Sequence, residues 1–169
     1  MSRAFTKEDD AGAVPFVAPR APLPAGTPNY VTRAGLAALR SELETLLQER
    51  AALEHGEPEP QRARLAASLG QRVAELEARL ATAELVEPPA DKRDEVRFGA
   101  RVTLRTEAGT EREVRIVGVD EANAGAGLIA FVAPLARALL GRRAGDTSVV
   151  RTPHGEEEIE ILGVEYDGR

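Results

Sequence analysis

Few residues in this chain of 169 can do chemistry, and their spacing narrows what that chemistry is. There is no cysteine, and His55 and His154 are the only imidazoles, so thiolate and imidazole-rich metal sites are both excluded. His154 stands at an expected turn with no serine or cysteine in a readable nucleophile arrangement beside it, and reads as a solvated turn residue. Glu156, Glu157 and Glu158 form an acidic run. Neighbouring strand residues point to alternate faces, however, so the three carboxylates do not make one cation site. Gly125 and Gly127 are followed by neither a Gly-Lys-Ser/Thr triplet nor a long helix, which removes a phosphate loop. The residues therefore predict a binding protein, not an enzyme, with no cofactor and no metal.

Composition narrows the partner. A chain that is 43% hydrophobic and 30% charged has a soluble globular balance, but only 4% of it is aromatic and none is Trp, so the core must rest on Leu, Val, Ile and Ala. The formal charge of -6 opposes stable binding to free nucleic acid, which needs a basic surface to neutralise phosphates, and favours a protein partner. No apolar run is long enough for a membrane span or a signal segment, so the expected location is the cytoplasm and no membrane partner is expected.

Four segments position these residues. Residues 1–28 mix Pro, Ala, Gly and charges without a period and read as a disordered leader, with Ala11 to Val17 as its one apolar patch. Residues 29–87 read as two helices. Thr32 can cap the first, and Leu36, Leu39, Leu43, Leu46 and Leu53 recur at spacings of three, four and seven; Leu65, Leu69, Val73, Leu76, Leu80 and Ala83 form the seam of the second. His55-Gly-Glu-Pro-Glu-Pro60 breaks the helix between them, and two seams joined so closely bury against each other as an antiparallel coiled-coil hairpin. Arms of about 24 residues would project roughly 36 Å. Arg40 with Glu44, Arg50 with Glu54 and Glu75 with Arg79 are expected as i,i+4 pairs on the solvated faces. Glu87-Pro88-Pro89 opens a linker over 88–95.

Residues 96–169 read mainly as strands: Val96 to Leu104, Glu113 to Val119, Leu128 to Val132, Thr147 to Thr152 and Glu156 to Val164, with one short helix opened by Pro134 and closed by Gly141. Antiparallel strands with one inserted helix make an α+β domain.

Two stretches carry a family resemblance. Tyr30-Val-Thr-Arg-Ala-Gly-Leu-Ala-Ala-Leu-Arg-Ser-Glu-Leu43 resembles the opening of the GreA/GreB transcript-cleavage factors, with Thr32, Gly35, Leu39 and Glu42-Leu43 at matching positions. Phe98-Gly99, Arg115-Ile-Val-Gly-Val-Asp-Glu121, Pro134-Leu-Ala-Arg-Ala-Leu-Leu-Gly141 and Gly145-Asp146 resemble the carboxyl-terminal domain of that family in order and spacing. The resemblance implies a coiled-coil hairpin followed by an FKBP-like domain that grips the rim of the RNA polymerase secondary channel while the hairpin enters it. FKBP-like shape does not by itself imply prolyl-isomerase activity.

The hairpin tip departs from that pattern. The family carries Gly-Asp-x-x-Ser-Glu-Asn-Ala-x-Tyr there, with carboxylates that help hold a second Mg²⁺ and position water. Here Ala66-Ala-Ser-Leu-Gly70 runs straight on to Gln71-Arg-Val-Ala-Glu75. The chain thus resembles a short-hairpin, Rnk-like member of the family without the acidic tip, which implies that it binds polymerase and modulates transcription without stimulating RNA cleavage. Two alternatives stand beside this: a regulator of another cytoplasmic protein, and a cleavage factor that uses Glu57 and Glu59, the carboxylates at the shortened tip. At the docking turn the family commonly has Asp or Asn and then Ser before the proline, where this chain has Val132 and Ala133. The polymerase-docking residues carried over are Phe131, Val132, Pro134, Leu135 and Arg137, of which Phe131 and Leu135 are equally suited to a core.

Overall fold

A computed structural model describes residues 20–54, 60–91, 94–152 and 155–167. His55, Glu57, Glu59 and His154 lie outside the described residues, as does Ala11 to Val17.

The hairpin follows from the leucine seams. The Gly35 N–H donates to Thr32 Oγ1 at 3.0 Å and the Leu36 N–H to the Thr32 carbonyl at 2.9 Å, so Thr32 caps helix α1, Arg33–Glu54. Helix α2, Pro60–Ala81, starts on a proline whose missing N–H costs nothing in a first turn. Each helix has 22 residues, a length of about 33 Å. Leu39 and Leu46 of α1 bury against Leu69, Val73 and Leu76 of α2, flanked by the half-buried Leu36, Leu43, Leu53, Leu65 and Leu80. Leu76 is 1% exposed, a burial that contributes about 2 kcal/mol.

A short parallel pair, unexpected from the sequence, seals the open end of the hairpin. Strand β1, Tyr30–Val31, lies beside β2, Glu84–Leu85, with the Glu84 N–H on the Asn29 carbonyl at 2.8 Å and the Val86 N–H on that of Val31 at 3.0 Å.

The carboxyl-terminal part is a five-stranded sheet made of β3 (Arg101–Thr106), β4 (Glu111–Val117), β5 (Leu128–Ala130), β6 (Thr147–Thr152) and β7 (Gly155–Glu165), in the order β5-β4-β3-β7-β6. Three pairings are antiparallel, as expected; β5 runs parallel to β4, so the sheet is mixed. Residues 118–127, with two 3₁₀ turns, return the chain to Arg115 so that β5 runs beside the last three residues of β4 in parallel register. The first strand begins at Arg101 rather than Val96, because Gly99 at φ 84° turns the chain just before it. Helix α3, Pro134–Leu139, packs Ala136 and Leu139 into a core of Val102, Leu104, Val114, Ile116, Ile159 and Ile161. The architecture is α+β: a helical hairpin, then a mixed sheet with one short helix. Among the described residues no helix is long and apolar enough to cross a membrane.

Candidate functional site

The turn from β5 into α3 is held from behind and open in front. The Phe131 N–H reaches the Val117 carbonyl at 2.9 Å and the Ala133 N–H the Ala130 carbonyl at 2.8 Å, which fixes the three residues before Pro134. Ala133 caps α3 with extended backbone and no side-chain hydrogen bond, a consequence of an alanine where Ser or Asp would supply an oxygen. The far end of α3 is pinned as well. Ser148 Oγ donates to the Ala138 carbonyl at 2.8 Å, and the Gly141 N–H donates to that of Val96 at 2.8 Å.

Of the five docking residues, Pro134 and Arg137 are exposed and lie three apart on α3, so they share a helix face. Among the described residues Arg137 has no salt bridge, which leaves its guanidinium available to a partner. Val132 is half-buried beside them in sequence. Phe131 and Leu135 are half-buried and pack against the sheet core, so the fold uses both internally. Phe131 also stacks outward of that core: its ring lies 5.3 Å from Tyr30 and 5.8 Å from Phe98, with Tyr30 and Phe98 5.8 Å apart. Three of the six Phe and Tyr residues in the chain thus join the hairpin base to the docking turn.

Beneath that aromatic trio lies a polar junction that periodicity in the sequence does not reveal. The Glu121 carboxylate accepts the Thr32 N–H at 2.9 Å, the Thr32 hydroxyl, and the Gly118 N–H at 3.2 Å. A Cβ on Gly35 would overlap that carboxyl group, which explains glycine in the first turn of α1. Beside it, Asp120 is flanked by two guanidiniums. Arg20 Nη1 donates to Asp120 Oδ1 at 3.0 Å, and Arg79 Nη1 lies 3.2 Å from Oδ2 as an ion pair without hydrogen-bond alignment.

Two expectations change here. The i,i+4 spacing predicts Arg79 on the outer face with Glu75; it is instead buried and turned to Asp120, while Glu75 accepts from Gln71 Nε2 at 2.9 Å. Composition predicts a disordered leader over 1–28; at its end Arg20 is instead tied to Glu42 and Asp120, and the Ala21 carbonyl accepts from Arg79 Nη2 at 2.5 Å. Burial by itself would lower the Arg20 pKa, but the hydrogen bonds and charges of Glu42 and Asp120 outweigh it and hold the guanidinium above its ordinary value. The only sequence signal for this junction was the pair of motifs containing Thr32-x-x-Gly35 and Asp120-Glu121, which the fold brings together.

Among the described residues no three carboxylate or imidazole groups gather as a metal site. Glu156 is paired to Arg151 at 3.1 Å across the β6–β7 turn.

Comparisons with known proteins bear on the family. The family profile described as "Transcription elongation factor, GreA/GreB, C-term" matches residues 90–166. The chain is similar to the transcription elongation factor GreB of Neisseria meningitidis serogroup B (strain MC58), 38% identical over 156 residues that cover 83% of this chain and 95% of that protein. It is similar also to GreA of Cereibacter sphaeroides (strain ATCC 17023), 41% identical over 151 residues covering 80% and 99%. The solved GreA/GreB structure from Nitrosomonas europaea is 27% identical, covers 81% of this chain and 98% of that one, and superposes with a TM-score of 0.41. These relatives overturn one expectation. Factors of the GreA and GreB kind stimulate transcript cleavage, so the reading of the chain as no enzyme is not supported.

Proposed function

Because this chain belongs to the GreA/GreB family of transcription elongation factors, we propose that it binds RNA polymerase at the rim of the secondary channel through the β5–α3 turn and presents its hairpin to the channel. The observation that supports this most is the exposed Pro134 and Arg137 pair on a helix braced at both ends, next to an aromatic trio that ties the same turn to the hairpin base. A proline with fixed φ and a guanidinium on one rigid face give a small, pre-ordered contact in which little side-chain freedom remains to be lost on binding. Val132 adds an apolar edge where the family has a polar one, and Phe131 and Leu135 support the turn from behind.

The test is co-purification of core RNA polymerase with the wild-type chain and with Pro134→Ala plus Arg137→Glu. The double variant is expected to lose most of the recovered polymerase while melting at the wild-type temperature, since both side chains are exposed. Equal recovery would remove the docking turn from this reading.

A further inference from the structure

A rod held at one point pivots; held at two, it keeps its angle. The hairpin meets the sheet first at its base, where Glu121 holds Thr32. The Tyr30 ring against Phe98 and Phe131 and the Arg79–Asp120 pair hold that same base; the hold away from it is Glu42, ten residues on from Thr32 and so roughly 15 Å farther along α1. It is made by a residue from neither body, since Arg20 spans Glu42 Oε2 at 2.5 Å and Asp120 Oδ1 at 3.0 Å with the two arms of one guanidinium. The Asp120 side chain is only 6% exposed, and its other oxygen faces Arg79 of α2, which in turn donates to the Ala21 carbonyl. At the far end of the same segment, Asn29 Nδ2 donates to the Arg79 carbonyl at 2.8 Å and to Thr82 Oγ1 at 3.1 Å.

We infer that residues 20–29 are a strap that sets the angle between hairpin and sheet, with Arg20 as its clasp and as a positioning residue for the hairpin. A forked, permanently charged group is what bridging two carboxylates on separate elements requires. The bearing of that angle on transcription rests on the polymerase reading above; the angle itself does not.

The chain has no cysteine, so Gln48→Cys on α1 and Thr110→Cys in the β3–β4 turn can be spin-labelled selectively in the full chain and their separation measured by pulsed electron resonance. The otherwise wild-type chain gives one narrow distance distribution. Arg20→Ala broadens it at least twofold with unchanged far-ultraviolet helicity, and Arg20→Lys, whose single ammonium lacks the fork, falls between. Glu42→Gln weakens the same clasp from α1 while leaving Asp120 with Arg79, and broadens the distribution as well; it decides the matter should Arg20→Ala fail to fold. Distributions that superpose on wild type overturn the strap. Polymerase capture on the same preparations separates the two readings: absence of capture by wild type removes the docking function and leaves the strap, whereas unchanged widths with normal capture do the reverse.

Discussion

Glu121 grips Thr32 twice, accepting its backbone N–H at 2.9 Å and its hydroxyl, and the same hydroxyl oxygen accepts the Gly35 N–H that opens α1. The helix cap and the joint between hairpin and sheet are therefore one network. Loss of the carboxylate weakens both at once, because the Thr32 donors are buried and keep no water to replace it.

Glu121→Ala is expected to destabilise the chain by about 2 kcal/mol, as the Thr32 N–H, the Thr32 hydroxyl and the Gly118 N–H lose their acceptor. Gly35→Ala is expected to cost a similar amount, on the order of 1–3 kcal/mol, by driving a methyl group into the Glu121 carboxyl. The double variant should lose less than the sum, because truncation of Glu121 removes the atoms that clash. Urea denaturation of the four proteins checks this; strict additivity contradicts the overlap.

Asp120→Asn leaves the Arg79 guanidinium, 9% exposed, without its anionic partner and takes one of two carboxylates from Arg20. A loss on the order of 3 kcal/mol is expected at pH 7. Asn is nearly isosteric, so a loss under 0.5 kcal/mol would show that charge at this position does not matter. Chemical denaturation supplies the measurement.

Tyr166 closes the start of the carboxyl-terminal part: its hydroxyl donates to the Glu95 carbonyl at 2.6 Å and accepts from the Arg97 N–H at 2.9 Å. Burial pushes its pKa up, against the opposing pull of the Arg97 N–H. The folded chain therefore holds the phenol proton after the unfolded chain has released it. The resulting stability is complete below the unfolded pKa of about 10 and is lost as pH rises through the higher folded value. Tyr166→Phe is expected to cost about 1 kcal/mol at pH 7 and to flatten the decline above pH 10, measured by denaturation between pH 8 and 11.

Glu57 and Glu59 fall in the sequence between the two helices and are the carboxylates the sequence offers at the shortened tip. If the chain is the cleavage factor of that alternative reading, it releases short 3′ RNA fragments from stalled elongation complexes with Mg²⁺, and Glu57→Ala plus Glu59→Ala abolishes that release; no fragments from the wild type removes the alternative. Undiminished release by the double variant would place the metal-handling groups elsewhere.

Much of the architecture was legible in the residues alone. The leucine spacing of three and four named the seam that buries Leu39, Leu46, Leu69 and Leu76, Thr32 named the cap, and Pro134 and Gly141 bracketed α3, because each depends on local geometry that a few neighbouring residues dictate. Arg79 shows where this stops. Periodicity places it off the seam and beside Glu75, but it cannot say that a separate element will cover that flank of α2. Only the folded chain, which brings Asp120 and Ala21 against it, turns an expected surface cation into a buried one. The parallel β4–β5 pairing and the Arg20 bridge belong to the same class. The bridge joins residues a hundred apart and the pairing depends on the path of the intervening loop, and both are decided by the packing of whole elements, a choice that no local pattern of charge or hydrophobicity encodes.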